Sequence, residues 1–333
     1  MDLVIQDSTL RDGNHAIKHQ LKLSDVKSYC IAAEKAGVPI IEVGHGNGLG
    51  ASSLQVGFSL VSDASLLETA RNNLTNSRLA VHMIPGFSTI KKNLQPAIDL
   101  GVDLVRVGCH CTEADTTKRY IEYLSEKEID SVGSLMMSHT VNKHILLQEA
   151  LKMQSYGATG ISLYDSAGSY LPKDVEEKIS YLSNNLQIEV GFHAHNNLGM
   201  GVANSLIAYQ SGAKIIDGSI LGFGAGCGNA QLEVIVAVFE KMGISTGIDL
   251  YGILDCADIA KELFIKEIPS IKPTGIVSGL SGVFSGFVKH VERISEQYDV
   301  DPRDIFFELG RRKVVAGQED LIIEVAIDIK NKV

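Results

Sequence analysis

The chain has 333 residues and a formal net charge of −10, with 45% hydrophobic and 21% charged residues. This length exceeds one ordinary domain of ~100–150 residues, but it fits an α/β barrel of ~250 residues with a smaller C-terminal addition. The composition excludes a largely disordered chain, and the acidic balance disfavours nucleic acid or an anionic membrane surface as the main partner.

Neither a secretion signal nor a membrane anchor is evident in the sequence. The segment from Met1 to Ile5 lacks the basic and apolar regions of a signal peptide, and no apolar run reaches the ~18 residues of a transmembrane helix. The five cysteines are an odd number without paired spacing, which is typical of reduced thiols. We therefore expect a cytoplasmic protein without membrane association.

Eight short apolar or β-branched runs recur at intervals of roughly 30–40 residues, the spacing of a strand–helix unit. They predict strands at Leu3–Gln6, Ile40–Val43, Leu79–Met83, Leu104–Gly108, Ser131–Met136, Gly160–Tyr164, Ile188–Phe192 and Ile215–Ile220. Amphipathic segments between them predict helices at Ser24–Ala36 (N-capped by Ser24), Thr89–Leu100, Lys143–Tyr156 and Leu198–Ser211. Alternating strands and helices predict a parallel sheet, and eight units favour a (β/α)8 TIM barrel over a doubly wound sheet.

The strand rhythm stops after about Gly243. The rest of the chain predicts helices at Leu250–Ile265, Val283–Tyr298 and Pro302–Leu309, and a late apolar run at Leu321–Ile329. We therefore predict a TIM-barrel catalytic domain over residues 1–245 and a C-terminal, mainly helical domain over residues 246–333.

Polar residues follow several of the predicted strands, at the end of a barrel where active sites form. The sharpest pattern is His193-Ala194-His195, because side chains at i and i+2 of a strand share a face and both imidazoles could bind one metal. Asp12, after strand one, is the expected carboxylate ligand. Two imidazoles and a carboxylate suit Mn²⁺, Zn²⁺, Fe²⁺ or Co²⁺, and the pattern alone does not rank them.

Two further residues beside Asp12 have the chemistry of a catalytic site. Arg11 is a fixed cation that could hold a carboxylate or stabilise an enolate oxygen, although a salt bridge at the barrel rim is the plainer alternative. His15 could act as a general base, or it could be an ordinary loop histidine. Ser166, which ends strand six, and His193 are expected to contact the substrate together with Arg11.

Other patterns are weaker. In Cys109-His110-Cys111 the side chains alternate along an extended chain, which argues against a zinc site there. The glycine-rich run 222–228 could bind phosphate, or it could only let the backbone pass close to the substrate. A Schiff-base aldolase would need a lysine at the end of a strand, and none of the eight strand ends carries one.

Taken together, Asp7–Gly13 (DSTLRDG) and His193–His195 (HAH) resemble the pyruvate carboxyltransferase-like superfamily. Within it the sequence is most similar to the 4-hydroxy-2-oxovalerate aldolases, and the resemblance runs from end to end. The matching segments are Thr9–Gln20, His110–Asp115, Leu135–His139, Gly201–Ser205 and Glu308–Asp320.

The resemblance implies a metal-dependent lyase that cleaves 4-hydroxy-2-oxopentanoate to pyruvate and acetaldehyde, in the breakdown of aromatic hydrocarbons. It implies Asp12, His193 and His195 as ligands of Mn²⁺, with Mg²⁺, Co²⁺ or Zn²⁺ as other ions. Arg11 would stabilise the pyruvate enolate, and His15 would take the proton from the C4 hydroxyl. It also implies a homo- or hetero-oligomer, with an acylating acetaldehyde dehydrogenase as partner.

The sequence departs from the family pattern at four positions. Phe284 and Leu280 stand where the family has tyrosines, Asn196 replaces a histidine, and Asn47 replaces an aspartate. The loss of a hydroxyl at Phe284 leaves the aldehyde open, so an aldolase with a different aldehyde is one alternative. A Claisen-type synthase joining acetyl-CoA to a 2-oxo acid is a second, and a non-catalytic partner protein is a third.

Overall fold

The computed structural model describes residues 3–315 and 317–331. The outermost residues of the two predicted domains, and Ala316 within the Glu308–Asp320 segment, lie outside the described residues. Among the described helices, none has both the length and the apolar character needed to cross a membrane.

Eight parallel strands form a closed barrel in the order β1 to β8. Each strand pairs with its neighbours along the chain, and β8 pairs with β1 to close the ring. The TIM barrel is therefore confirmed, and the doubly wound sheet is wrong. The strands are β1 Val4–Leu10, β2 Ile40–Val43, β3 Arg78–Met83, β4 Leu104–His110, β5 Asp130–Met136, β6 Gly160–Asp165, β7 Glu189–Ala194 and β8 Ile215–Gly218.

Helices follow the strands and continue into the C-terminal region. They are α1 Leu23–Ala36, α2 Asp63–Arg71, α3 Gln95–Asp99, α4 Lys118–Glu126, α5 Lys143–Ser155, α6 Pro172–Ser183, α7 Gly201–Gln210, α8 Leu232–Lys241, α9 Leu250–Leu263, α10 Pro273–Ser281, α11 Val288–Tyr298, α12 Pro302–Arg311 and α13 Asp320–Lys330. Single turns of 3₁₀ helix lie at Asp12–His15, Ala114–Thr117, Ser138–Thr140, Ile220–Gly222 and Ser285–Phe287.

Some predicted helix boundaries differ from those in the structure. The N-cap of α1 is Lys22 instead of Ser24, because Asp25 at the third helical position accepts from the Lys22 backbone N–H. The segment predicted as one helix over Thr89–Leu100 begins as a π-helical turn, Ile90–Leu94, and continues as α3. The sequence interpretation missed α10, whose glycine-rich sequence has weak helix propensity.

The inside of the barrel changes character along its axis. Near the strand starts an apolar layer closes the barrel, formed by Val4, Ile40, Ala80, Leu104, Val132 and Ile215. Two residues further along, the same faces carry buried polar side chains, namely Gln6, Glu42, His82, Arg106, Ser134 and Asp217. The polar layer lies between the closed end and the strand ends, so it supports the functional site from below.

The C-terminal helices form a second hydrophobic core around Val291, Phe306, Leu309 and Val325. Helix α9 packs against α1 on the barrel side. The two regions also meet at the strand ends, where the Ser285 backbone N–H donates to the Ser166 carbonyl at 3.0 Å. A domain boundary at residues 245/246 stays a prediction.

Candidate active site

Three side chains that could hold a metal ion converge at the end of the barrel where the strands finish. One potential ligand atom each from Asp12, His193 and His195 lies within 4.8 Å of the others, and all three residues are buried. Asp12 begins the turn after β1, His193 lies in β7, and His195 follows its end. The i, i+2 spacing on β7 therefore places both imidazoles on the side facing Asp12.

The chemistry of these three groups fits a divalent cation. Within residues 3–315 and 317–331, His193 Nε2 and His195 Nδ1 are buried and have no hydrogen-bond partner. Burial lowers the pKa of His195 to about 3, so its imidazole is neutral near pH 7. Burial opposes ionisation of Asp12, but Arg11 and the nearby histidines outweigh it and hold the pKa of Asp12 far below its usual range. A carboxylate and two imidazoles, each with one buried nitrogen that lacks a partner among these residues, are a donor set for a divalent metal.

The glycine-rich segment after β8 holds the Asp12 carboxylate. Asn229 Nδ2 donates to Asp12 Oδ2 at 2.7 Å, and the Ala225 backbone N–H donates to the same oxygen at 3.4 Å. A Cβ at Gly224 would lie 2.6 Å from this oxygen and 2.4 Å from Asn229 Nδ2, so only glycine fits there. The sequence interpretation missed Asn229, because its position depends on how the loop folds back.

Arg11 is fixed beside the carboxylate by two acidic groups. Its Nε donates to Glu42 Oε2 at 2.8 Å, and its Nη1 donates to Asp12 Oδ1 at 2.7 Å. Burial alone would lower the pKa of Arg11, but Glu42 and Asp12 raise it, so the guanidinium remains charged. Its Nη2 is buried and has no partner among the described residues, which leaves one donor for a ligand.

His15 lies at the end of the 3₁₀ turn that begins at Asp12. Burial lowers the pKa of His15 to about 4, since the effect of Arg11 and His45 adds to burial and Asp12 only partly opposes it. The ring packs so closely on Gly46 that a Cβ there would lie 2.5 Å from it. At neutral pH His15 is therefore an uncharged imidazole that can accept a proton.

A cavity of about 530 Å³ lies between the strand ends and the C-terminal helices. His15, Ser166 and Phe284 are among its lining residues. Ser166 Oγ accepts a hydrogen bond from the Met137 backbone N–H at 2.9 Å, which fixes the serine at the cavity wall. The cavity therefore brings the predicted base and the predicted substrate-binding serine to one space.

The predicted site residues Arg11, Asp12, His15, Ser166, His193 and His195 all lie at this end of the barrel. Among the described residues, the Cys109-His110-Cys111 segment forms no metal-ligand cluster, although His110 lines the same cavity as His15 and Ser166. Cys111 Sγ donates to the Met137 carbonyl at 3.3 Å, and His110 Nδ1 contacts Thr112 Oγ1 at 2.8 Å. In the part of the chain that the structure describes, Asp12, His193 and His195 are the one cluster with metal-ligand spacing.

Comparison with known proteins places the chain in a family. The HMGL-like family model matches residues 2–260, and the model of the DmpG-like communication domain matches residues 269–331. Similar curated proteins are the 4-hydroxy-2-oxovalerate aldolases of Spirochaeta aurantia, 60% identical over 99% of this chain and 97% of its relative, and of Pectobacterium atrosepticum, 59% identical over 99% and 96%. The chain belongs to the 4-hydroxy-2-oxovalerate aldolase family.

Solved structures of lower identity share the fold. The carboxyl transferase domain of Rhizobium etli pyruvate carboxylase has a TM-score of 0.82 at 14% identity, over 99% of this chain and 60% of that one. The HMG-CoA lyase of Bacillus subtilis has a TM-score of 0.69 at 20% identity, over 80% of this chain and 95% of that one. None of the relatives named here supports the Claisen-type synthase that the sequence left open.

Proposed function

We propose that this protein is a metal-dependent lyase that cleaves 4-hydroxy-2-oxopentanoate, or a close 4-hydroxy-2-oxo acid, to pyruvate and an aldehyde such as acetaldehyde. The observation that carries the proposal is the convergence of Asp12, His193 and His195 beside Arg11, in a chain that is 60% identical to a 4-hydroxy-2-oxovalerate aldolase. This group of residues supplies a metal site and a fixed cation for a substrate that carries a carboxylate and a 2-oxo group.

Asp12, His193 and His195 would hold the ion, and Mn²⁺ is the ion we propose. Mg²⁺, Co²⁺ and Zn²⁺ are alternatives, since the same ligands accept several divalent ions. When bound, such an ion would act as a Lewis acid toward the oxygens of a 2-oxo acid. The single carboxylate leaves positive charge at the site, which favours an anionic substrate.

His15 is the general base in this proposal. Its neutral imidazole takes the proton from the C4 hydroxyl of the substrate, while the C3–C4 bond breaks and C4 becomes the aldehyde carbonyl. The electron pair of that bond passes into the pyruvate enolate, and C3 then takes up a proton to give pyruvate. The pKa of about 4 keeps the base unprotonated at neutral pH.

Arg11 stabilises the charge that the enolate acquires. Its unpartnered Nη2 donates to a substrate oxygen, while Glu42 and Asp12 hold the guanidinium in place through its other nitrogens. Ser166 at the cavity wall and His193 contact the substrate beside it. A preorganised donor needs no rearrangement as charge develops, and removal of such a donor typically costs ~10²–10³ in kcat.

The C-terminal region supports a protein partner for this enzyme. Residues 269–331 match a DmpG-like communication domain. We propose that these helices bind an acylating acetaldehyde dehydrogenase, which consumes the released aldehyde, in a hetero-oligomer. Size-exclusion chromatography of the two purified proteins, alone and mixed, tests this: two unshifted peaks would contradict it.

The reaction is tested by incubating the metal-loaded protein with 4-hydroxy-2-oxopentanoate, and in reverse with pyruvate and a panel of aldehydes, and by identifying the products by mass. Pyruvate and acetaldehyde from the first incubation would support the proposal. A protein that releases free thiol from acetyl-CoA with a 2-oxo acid, but cleaves no 4-hydroxy-2-oxo acid, would contradict it.

A further inference from the structure

A chain of buried charged side chains crosses the barrel interior beneath the candidate metal site. It starts at Asp12, passes through Arg11 and Glu42 to Arg106, and ends at Asp217 and His193. The closest contacts are 2.7 Å for Asp12–Arg11, 2.8 Å for Arg11–Glu42, 3.8 Å for Glu42–Arg106, 2.5 Å for Arg106–Asp217 and 2.9 Å for Asp217–His193. The chain therefore joins two of the three potential ligands through the protein.

The contact between Asp217 and His193 determines which nitrogen of the imidazole is free. Asp217 Oδ2 accepts from Arg106 Nη2, so it is a carboxylate oxygen that accepts and does not donate. His193 Nδ1, 2.9 Å from the same oxygen, must then carry the proton and donate it. The lone pair of a neutral imidazole is consequently on Nε2, the buried atom that lacks a partner among the described residues.

Arg106 holds that carboxylate in place. It lies on β4, across the barrel from β8, and its side chain is fully buried. Its guanidinium lies 4.9 Å from the ring centre of Tyr164, and that ring stacks on His193 with centroids 4.5 Å apart. The imidazole is thus held at its edge by Asp217 and on its face by Tyr164, and Arg106 contacts both of these groups.

We propose that Asp217 and Arg106 are positioning residues of the metal centre: Asp217 fixes the tautomer and orientation of His193, and Arg106 fixes Asp217. The inference rests on the proposed function, because it assumes that His193 binds a metal. A carboxylate on the second nitrogen of a metal-binding histidine raises the basicity of the ligand, and loss of such a partner typically weakens metal binding ~10–100-fold.

The balance of charge in the chain agrees with this role. Two arginines and three carboxylates leave one net negative charge in a buried region, and a divalent cation would reverse its sign. If these ion pairs had only a structural role, we would expect both nitrogens of the His193 imidazole to have partners, whereas Nε2 has none among the described residues. The two interpretations differ in one measurable quantity, the affinity for metal.

The test compares metal binding by Asp217→Asn, Arg106→Lys and a matched control, Asp130→Asn. Asp130 pairs with Arg78 at 2.5 Å at the opposite end of the barrel and does not touch the site residues. Dissociation constants for Mn²⁺ and the absorption spectrum of bound Co²⁺ are measured without substrate, on protein shown to be folded by circular dichroism.

We expect Asp217→Asn to bind Mn²⁺ ~10–100-fold more weakly and to change the Co²⁺ spectrum. Arg106→Lys should show a smaller loss, since lysine keeps the charge but not the planar fork.

Wild-type affinity and an unchanged spectrum in folded Asp217→Asn would overturn the inference. If that variant does not fold, the double variant Arg106→Met, Asp217→Asn removes both charges and leaves neither unpaired. Weaker metal binding in the double variant, with the control unchanged, supports the inference, and wild-type affinity overturns it. A wild-type protein that binds no metal would instead refute the proposed function.

Discussion

His15 is the residue on which the proposed bond cleavage depends, and its substitution separates two steps. We predict that His15→Ala slows cleavage of 4-hydroxy-2-oxopentanoate by ~10²–10⁴-fold, the usual contribution of a positioned acid–base group. Exchange of the pyruvate methyl protons should suffer less, because Arg11 stabilises the enolate without His15. Both rates can be followed by NMR on the same sample.

The control for this prediction is His144→Ala, an exposed histidine on α5. It should leave both rates unchanged. Equal losses of cleavage and of proton exchange in His15→Ala would show that His15 does not act on the C4 hydroxyl.

Phe284 gives a prediction about the aldehyde. Its ring lines the cavity that His15 and Ser166 also line, so the wall is apolar at the position where the resemblance predicts a tyrosine hydroxyl. A buried methylene gains ~0.8 kcal/mol, and a missing neutral hydrogen bond costs ~0.5–1.5 kcal/mol, so the enzyme remains active with its preference shifted. We expect it to favour propanal over acetaldehyde more than Phe284→Tyr does.

The measurement is kcat/KM for both aldehydes with pyruvate, in the wild type and in Phe284→Tyr. Leu280→Tyr is a suitable comparison, because Leu280 is exposed. If Phe284→Tyr leaves the ratio of the two values unchanged, the ring only packs and does not select the aldehyde.

At the level of elements, Glu34 connects the end of α1 to the turn that leads into β3. It accepts from the Asn76 backbone N–H at 2.7 Å and from the Ser77 backbone N–H at 3.0 Å. Burial alone would raise the pKa of Glu34, but these donors outweigh it and lower the pKa to about 2. Because Glu34 is only partly buried and solvent screens these contacts, we predict that Glu34→Gln lowers the free energy of unfolding by about 0.5–1 kcal/mol at pH 7.

The sign of the pH dependence follows from the lowered pKa. The contribution of Glu34 is present above the ordinary pKa of 4.5 and is lost as the pH falls toward about 2. The difference in unfolding free energy between wild type and Glu34→Gln should therefore shrink over that range. Urea titrations at several pH values measure it, with Glu68→Gln on the exposed side of α2 as control. A difference that does not change with pH would contradict the assignment.

The elements that the sequence predicts well are those whose pattern reflects burial. Every barrel strand is an apolar or β-branched run, so periodicity located all eight, and the shared i, i+2 face located His193 and His195. Residues whose role depends on contacts between distant segments were not identifiable in this way. Asn229 contacts Asp12 although the two residues are 217 positions apart in the sequence. Asp217 is a single acidic residue in an apolar strand, and no periodic pattern indicates its contact with His193.

Helix ends and the C-terminal region were predicted less well for similar reasons. The start of α1 depends on a backbone contact of Asp25, which no hydrophobic pattern reveals. Helix α10 is rich in glycine and serine, and packing on α12 supports it more than its own propensity does. At Gly310 in α12, a Cβ would lie 2.4 Å from the Ser281 carbonyl oxygen, so the close approach of these helices depends on glycine.

At the scale of the whole molecule, a bound metal should stabilise the folded barrel. The three proposed ligands lie at the ends of β1 and β7, far apart in the sequence, and they converge only when the sheet is closed. A ligand that binds only the folded state adds about 2.7 kcal/mol at 100 times its Kd, and about 4.1 kcal/mol at 1,000 times. We predict that Mn²⁺ raises the unfolding temperature of the wild type but not of His195→Ala.

Thermal unfolding over a series of Mn²⁺ concentrations measures this effect. Asp130→Asn, which alters a charge far from the site, should respond to Mn²⁺ as the wild type does. An equal shift in His195→Ala would mean that the ion binds elsewhere on the protein.

The central claim is that Asp12, His193 and His195 hold a metal ion that the cleavage requires. The most direct measurement is turnover of 4-hydroxy-2-oxopentanoate by protein stripped with a chelator, before and after Mn²⁺ is restored, in the wild type and in Asp12→Ala. The account predicts that stripping abolishes turnover, that about one ion per chain restores it in the wild type, and that no ion restores it in Asp12→Ala. Undiminished turnover in the stripped wild-type protein would contradict the account.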